Sequence, residues 1–399
     1  MSSDPYRFLA PFFRRALDRI DAGLTVGAIQ ATLPNGSTRR VGGRAPGPVA
    51  VVVLHRWRAM WRLARGGSAG WYEAWADGDW SSPDPVPLFD LFMRNAETLG
   101  RAARAGGMSR LLRRLAHRAR RNDRPGARAN IAAHYDLGND FYREWLDPTL
   151  TYSSAIFDGA TGLVEAQHNK LSAILDRTAT RPGDRILEIG CGWGSFARTA
   201  SDAGRRVDAI TLSTEQKRHV DALSLPGVTV ALTDYRDVAG TYDAVASIEM
   251  VEAVGREYWP AYLDAIAARL KPGGSAAIQY IAIAEPLFDA YANNVDFIQA
   301  HVFPGGMLLS EPRFRALAEA RGLAWRDVRR FGLDYAETLR RWRQAFDKAR
   351  ADGRLPMIDD RFADLWRYYL MYCEGGFRGG GITVAQVTLV KQGSAASPA

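Results

Sequence analysis

The sequence predicts an α/β fold with a mostly parallel sheet, preceded by a small N-terminal α+β domain. Three observations carry this. From about residue 130 short apolar runs alternate with helical patterns, as in a sheet whose strands are joined by helices. The run Arg185–Ile189 leads straight into Gly190-Cys191-Gly192-Trp193-Gly194 and then a helical stretch. Before residue 100 the order differs, with one amphipathic helix followed by short strands and turn residues.

In the N-terminal part the spacing predicts a helix over 6–21. Strands follow around 27–32 and 49–54, with the turn Pro34-Asn35-Gly36 between them. Helical patterns resume from Arg56 and around 71–76. Pro83, Pro85 and Pro87 punctuate the chain before a helix over 88–99. Residues 101–129 read as an Arg-rich helical linker, with a boundary near Asn122-Asp123-Arg124-Pro125-Gly126.

Beyond it, residues 130–391 form the second predicted domain. After the strand 185–189 and the helix 195–203 comes a strand over 206–212. The next helix is capped by Ser213, with Gln216 three residues on as the other half of a capping box. Strands over 228–232 and 243–248 follow. A helix over 256–270 ends at Lys271-Pro272-Gly273-Gly274, and 275–283 is a fifth strand. Residues 322–331 and 383–390 complete a seven-stranded sheet, with an aromatic-rich helix over 360–373 between them. Residues 392–399 read as a disordered tail.

The 399 residues are 47% hydrophobic and 24% charged, ordinary for a globular protein with two domains. The two cysteines, Cys191 and Cys373, are far apart and point to a reduced compartment rather than a disulfide scaffold. No apolar run approaches the roughly 18 residues of a membrane-spanning helix. No signal peptide is visible, so a cytoplasmic location is expected. The net charge of +8 is unevenly spread, with ten arginines against Asp123 alone between Arg101 and Arg128. Leu111, Leu112, Leu115 and Ala119 recur among them at near-helical spacing. Such a helix is either a solvated interdomain segment or one drawn to an anionic membrane surface. Nucleic acid is not expected as a partner, because no nucleic-acid motif accompanies the charge.

Glycines between a strand and a helix let the backbone turn tightly and approach a ligand closely. Dinucleotide enzymes place a pyrophosphate there. S-adenosylmethionine (SAM) methyltransferases place the amino-acid end and ribose of their cofactor. The alternating Gly190, Gly192 and Gly194 depart from G-x-G-x-x-G, and Glu188 suits a cationic methionine end better than an anionic pyrophosphate. The expected fold is therefore Rossmann-like, that of a class I SAM-dependent methyltransferase.

Further motifs carry a family resemblance. They are His134-Tyr135-Asp136-Leu137-Gly138-Asn139-Asp140-Phe141-Tyr142, Leu146-Asp147-Pro148, Thr151-Tyr152-Ser153-Ser154, Glu188 to Gly194, and Thr211-Leu212-Ser213 with Glu215-Gln216. Asp234-Tyr235-Arg236-Asp237, Phe303-Pro304-Gly305-Gly306, Gly332-Leu333-Asp334-Tyr335 and Tyr372-Cys373-Glu374-Gly375-Gly376-Phe377-Arg378 follow in the same order. Together they resemble cyclopropane-fatty-acyl-phospholipid synthases and mycolic acid methyltransferases. Glu73-Ala74-Trp75 with Gly78-Asp79-Trp80 also resembles the small N-terminal domain of the bacterial phospholipid enzymes.

The resemblance implies methyl transfer from SAM to a cis double bond of an unsaturated phospholipid acyl chain. A proton is then lost to give a cyclopropane, methyl-branched or methylene product. It assigns Tyr152, Ser153, Gly190 and Gly192 to the methionine part of SAM. Thr211, Leu212 and Gln216 fall to the ribose region, and Asp234 with Tyr235 to the adenine. A peripheral position at the inner membrane surface and a homodimer through the N-terminal domain are also implied.

In the family the proton-removing site is a bicarbonate ion held by Cys, Glu, His and Tyr. Here Ser154 stands for the Cys, Glu252 is kept, Ala253 stands where a His usually follows it, Gln279 replaces the His after the fifth strand, and Tyr335 is kept. Two readings follow. Ser154 and Gln279 can still hydrogen-bond an anion. Alternatively Glu249 and Glu252, three residues apart, share a helical face and supply a side-chain base. The aromatic helix (Trp366, Tyr368, Tyr369, Leu370, Tyr372) and the insertion 284–306 either line an acyl channel or form ordinary core. A small-molecule N-methyltransferase and a non-catalytic SAM- or lipid-binding homologue are the other functions the altered positions admit.

Overall fold

The computed structural model describes residues 6–100 and 138–393. The Arg-rich linker, the boundary near 122–126, His134 to Leu137 and most of the tail lie outside the described residues. Contacts divide the chain into two compact units.

The first unit joins the N-terminal residues to 284–304 and 339–382, so it takes in more chain than the stretch 1–100. Its four-stranded sheet has the order β2-β1-β3-β4, built from β1 (Ala28–Thr32), β2 (Thr38–Gly42), β3 (Val49–Leu54) and β4 (Trp80–Ser81). The turn Pro34-Asn35-Gly36 closes a hairpin onto β2, a strand the sequence reading missed, and β3 then pairs parallel to β1. The adjacent Arg39 and Arg40 in Thr38–Gly42 hide that strand from a hydrophobic pattern, because only Val41 of the strand is buried. The predicted helix 88–99 breaks at Asn95, whose side chain accepts from Thr25 and Val26 N–H groups at 2.9 and 3.0 Å.

Asp79 explains the Gly-Asp-Trp motif. Its fully buried carboxylate accepts from Arg58 at 2.8 Å on both oxygens and from Arg56 and Arg62 at 3.3 and 3.4 Å. Trp80 stacks on Trp71 at 4.4 Å and donates to the Trp71 carbonyl at 2.9 Å. Removing a buried acid from a charged cluster is strongly destabilising. Asp79→Asn is therefore expected to lose about 3 kcal/mol in urea unfolding of the full chain.

The aromatic helix Asp360–Arg378 belongs to this unit. Gly375 lets it lie against Val86–Arg94, since a Cβ there would sit 2.4 Å from the Phe89 Cβ. Tyr368 packs with Tyr72, Phe297 and Phe89 at ring distances of 5.0, 4.8 and 5.2 Å. These residues form the core of the unit.

The second unit carries a seven-stranded sheet in the order β10-β11-β9-β8-β5-β6-β7. Its strands are β5 (Arg185–Ile189), β6 (Arg206–Thr211), β7 (Val228–Leu232), β8 (Tyr242–Ile248), β9 (Leu270–Ile283), β10 (Leu323–Arg330) and β11 (Ile382–Lys391). β5 to β9 pair in parallel and β10 is antiparallel to β11. Leu171, Ile174, Phe196, Ala197 and Ala200 pack on Ile186, Val207, Ala209, Ala244, Ala246 and Ala277, because strands covered by helices are apolar on the covered face. β5 pairs with β6 on one side and β8 on the other, so strand order reverses there. Ligands of such sheets bind at the carboxyl ends of the strands at this switch point.

Candidate active site

Every expected site residue lies in the second unit, on its strands, the loops and helices that follow them, or the lead-in loop before the first strand. At the end of β5, Gly190 and Cys191 both donate to the Ile210 carbonyl, at 3.0 and 3.1 Å, which ties the glycine loop to β6. Gly190 and Gly192 hold φ of 82° and 52°. A Cβ on Gly192 would meet no atom within 4 Å, so the loop leaves the open cradle that a ligand's methionine end needs.

Glu188 faces inward from β5 at 3% exposure, and its Oε2 has no hydrogen-bond partner among the described residues. Burial pushes its acid up to about 8, against the pull of Lys170. A buried carboxyl with an unmatched oxygen suits a cationic ligand group, so SAM fits this end of the site.

The remaining cofactor positions sit at the end of β6 and in the helix after it, just after β7, and on the lead-in loop. Thr211 donates to Gln216 Oε1 at 2.7 Å. Ser213 caps the helix Thr214–Ala222 by accepting from Gln216 N–H, but the reciprocal half of the predicted capping box is not made, because Thr211 engages the Gln216 side chain. Leu212 is partly exposed between them. Thr233 N–H on the Thr211 carbonyl at 3.1 Å brings β7 alongside. Asp234 accepts from Arg236 at 2.8 and 2.6 Å, and the Tyr235 ring meets Tyr262 edge-on at 5.5 Å. Tyr152 joins an aromatic group with Tyr142 and Trp145, at 5.5 and 5.6 Å. Tyr142 in turn packs on Trp193 at 4.8 Å.

The five expected catalytic residues converge at the ends of β8 and β9. Glu249 Oε1 accepts from Ser154 N–H at 2.9 Å and from Gln279 Nε2 at 2.8 Å, and its Oε2 accepts from Tyr335 OH at 2.8 Å. Glu249 and Glu252 do not share a helical face. Glu249 precedes a short 3-10 turn (Val251–Ala253) and holds φ of 49°, while Glu252 lies within that turn. Left-handed backbone at Glu249 stops a helix from starting before it. Glu252 Oε1 accepts from Ile281 N–H, and its buried Oε2 has no hydrogen-bond partner among the described residues.

Desolvation raises Glu249, against the donors Ser154, Gln279 and Tyr335 and the charge of Lys170. It pushes Glu252 further, to about 8, with the like charge of Glu249 adding to it. The like charges oppose ionisation of both acids at once, and the donors on Glu249 make it the one better held as a carboxylate.

The donors expected to hold a bicarbonate ion are engaged otherwise. The Ser154 hydroxyl donates to the Ala155 carbonyl at 3.0 Å, and the Gln279 amide and Tyr335 hydroxyl are both turned to Glu249. This donor set does not fit an additional anion.

Lys170 and Gln386 were not singled out in the sequence. Lys170 is fully buried and donates to Ser153 Oγ at 2.6 Å. Burial brings its amine down to about 8, opposed by Glu249, Asp147 and Glu188. Gln386 donates to Gln279 Oε1 at 3.0 Å and so fixes which end of that amide meets Glu249. The legible signal was polar residues on apolar faces. Gln167 and Lys170 share the buried side of Leu163–Arg177 with Leu171 and Ile174, and Gln386 interrupts the buried run of β11.

The family model of mycolic acid cyclopropane synthetase matches residues 122–387. Tuberculostearic acid methyltransferase UfaA1 of Mycobacterium tuberculosis is 36% identical over 367 residues, spanning 85% of this chain and 83% of that protein. Cyclopropane-fatty-acyl-phospholipid synthase of Escherichia coli is 33% identical over 337 residues, spanning 82% of this chain and 84% of that protein. Among solved structures, mycolic acid cyclopropane synthase CmaA1 complexed with SAH and CTAB superposes with a TM-score of 0.62 at 31% identity. It covers 66% of this chain and 98% of its own. With the class I sheet order and the glycine cradle in place, these matches show that the chain is a SAM-dependent methyltransferase belonging to the mycolic acid cyclopropane synthetase family.

Proposed function

We propose that the chain methylates a carbon of the cis double bond in unsaturated acyl chains of phospholipids, giving a cyclopropane, methyl-branched or methylene fatty acid. The observation that carries this is the carboxylate pair Glu249 and Glu252 at the end of β8, next to the glycine loop of β5. Methyl transfer to an alkene leaves a carbocation, and such a site needs a proton acceptor rather than a second nucleophile. The two relatives, a tuberculostearic acid methyltransferase and a cyclopropane-fatty-acyl-phospholipid synthase, agree with that chemistry.

When bound, SAM supplies a methyl group on an electrophilic sulfonium. Gly190, Gly192, Tyr152, Ser153 and Glu188 hold its methionine end in this reading, Thr211, Leu212 and Gln216 its ribose, and Asp234 with Tyr235 its adenine. Lys170 orients Ser153 and counters the charge of Glu249. Tyr142, Trp145 and Trp193, all buried, keep water from a cation that water would trap as an alcohol. The family's bicarbonate gives way here to an acceptor within the carboxylate pair.

The reading places the chain as a peripheral protein at the cytoplasmic face of the inner membrane, as a homodimer. Among the described residues no helix is long and apolar enough to cross a membrane. Phe8 and Phe12 are 77% and 55% exposed beside the exposed Arg15 and Arg19, an arrangement suited to an anionic bilayer surface.

The test is mass analysis of fatty acids after incubation with SAM and vesicles of a monounsaturated phospholipid. Acyl chains gaining one CH2 unit are expected. Unchanged lipid with bound SAM would sink the reading, and turnover on small amines would replace it.

Glu188 gives a pH prediction. Free Glu188 holds its proton below about 8, and a bound cation favours the ionised form. SAM affinity should therefore rise with pH up to about 8 and level off above it. Titration calorimetry of Glu188→Gln should show that slope gone and affinity at pH 8 about tenfold lower. Ionisation of SAM itself is common to both proteins and cancels in the difference.

A further inference from the structure

We propose, resting on the reading above, that Glu249 is a built-in replacement for the bicarbonate ion, its carboxylate filling an oxyanion pocket that a free anion would otherwise occupy. An N–H, an amide NH2 and a phenolic OH converge on one planar O–C–O group, at 2.9, 2.8 and 2.8 Å. They come from the lead-in loop, from β9 and from the helix Gly332–Ala351, and none is on the segment that carries Glu249. Such a pocket recognises a one-carbon planar oxyanion, whether tethered to the chain or free.

The backbone supports the assignment. Glu249 holds φ of 49°, in the region that glycine adopts freely and other residues enter at a cost of about 1–2 kcal/mol. Strained positions of this kind persist where the surrounding structure holds them, and they cluster at functional sites. Its N–H on the Gln279 carbonyl at 2.8 Å aims the side chain at the three donors. The charged groups facing it are Lys170, which favours the carboxylate, and Glu252, which opposes it. Tyr335 is a further titratable neighbour among the described residues.

The proton step balances without an added ion. A C–H bond next to the cationic carbon, or on the transferred methyl, breaks. Its electron pair forms the alkene π bond or closes the ring, and the proton goes to a Glu249 oxygen, leaving a neutral carboxylic acid that returns the proton to water after product leaves.

The test is Glu249→Gly, which relieves the backbone and empties the pocket while keeping its donors. Wild-type turnover on monounsaturated vesicles should stay within about twofold when bicarbonate is stripped from the buffer, whereas the variant should lose about 100-fold or more. Bicarbonate or formate at millimolar levels should restore about tenfold of that loss, saturably, and Glu249→Gly/Tyr335→Phe should be rescued less. Line broadening of 13C-bicarbonate by the glycine variant and not by wild type reads the pocket with no lipid present, so it survives a failure of the lipid reading. Wild-type dependence on bicarbonate, full activity of the variant without any anion, or a folded variant that neither broadens the signal nor recovers would each overturn the proposal.

Discussion

Glu249→Gln should reduce turnover on monounsaturated phospholipid by about 10³-fold while leaving SAM affinity within about twofold, because it removes a positioned proton acceptor and nothing of the cofactor cradle. The amide keeps the shape of the carboxylate, so the pocket of Ser154, Gln279 and Tyr335 stays filled and the fold is not strained further. A carboxylate held by several donors is a weak base, but a carbocation is a strong acid. Position therefore matters more than basicity. Glu252→Gln is the contrast. Burial and the neighbouring charge already push Glu252 to about 8, so it carries a proton near neutral pH, and glutamine is its isostere. That variant should stay within about tenfold of wild type. Single-turnover measurements with both variants decide the matter. Loss in Glu252→Gln with Glu249→Gln active would move the acceptor to Glu252.

Gly190→Ala should weaken SAM binding by about 100-fold, or about 2.7 kcal/mol, and lower the thermal midpoint. Its φ of 82° carries a left-handed penalty of about 1–2 kcal/mol for any side chain. The added Cβ would lie 2.6 Å from Met250 Cγ and 3.2 Å from its Sδ, and moving Met250 costs about 1–3 kcal/mol more. Met250 directly follows Glu249, so the displacement should disturb the acceptor as well as the cradle. Gly192→Ala separates the effects. Its Cβ meets no protein atom, so its stability loss should be the backbone term alone, about 1 kcal/mol, and any larger loss of SAM affinity reports the ligand's own contact. Calorimetric titration beside thermal unfolding measures both. Unchanged SAM affinity in Gly190→Ala would remove this loop from the cofactor site.

Much of the fold could be read from local pattern. Arg185–Ile189 and Val228–Leu232 fall where the apolar runs placed them, and the glycine turn and the Ser213 cap are present. The helices Leu163–Arg177 and Gly332–Ala351 were passed over, and they hold Lys170 and Tyr335. In the first, Gln167 and Lys170 dilute the apolar stripe that would have marked it.

The candidate site divides along the same line. By itself the sequence determined the SAM-binding class, the family and the residues that gather at the strand ends, because glycine turns, apolar runs and ordered motifs act within a few residues of one another. Only the tertiary structure decided that Ser154, Gln279 and Tyr335 close on Glu249, that Glu252 stands beside it with an unmatched oxygen, and that Lys170 is buried among the acids. Hydrogen bonds and desolvation depend on distances of a few ångströms between distant segments. Those distances are set by the order of strands in the sheet, which no local pattern encodes.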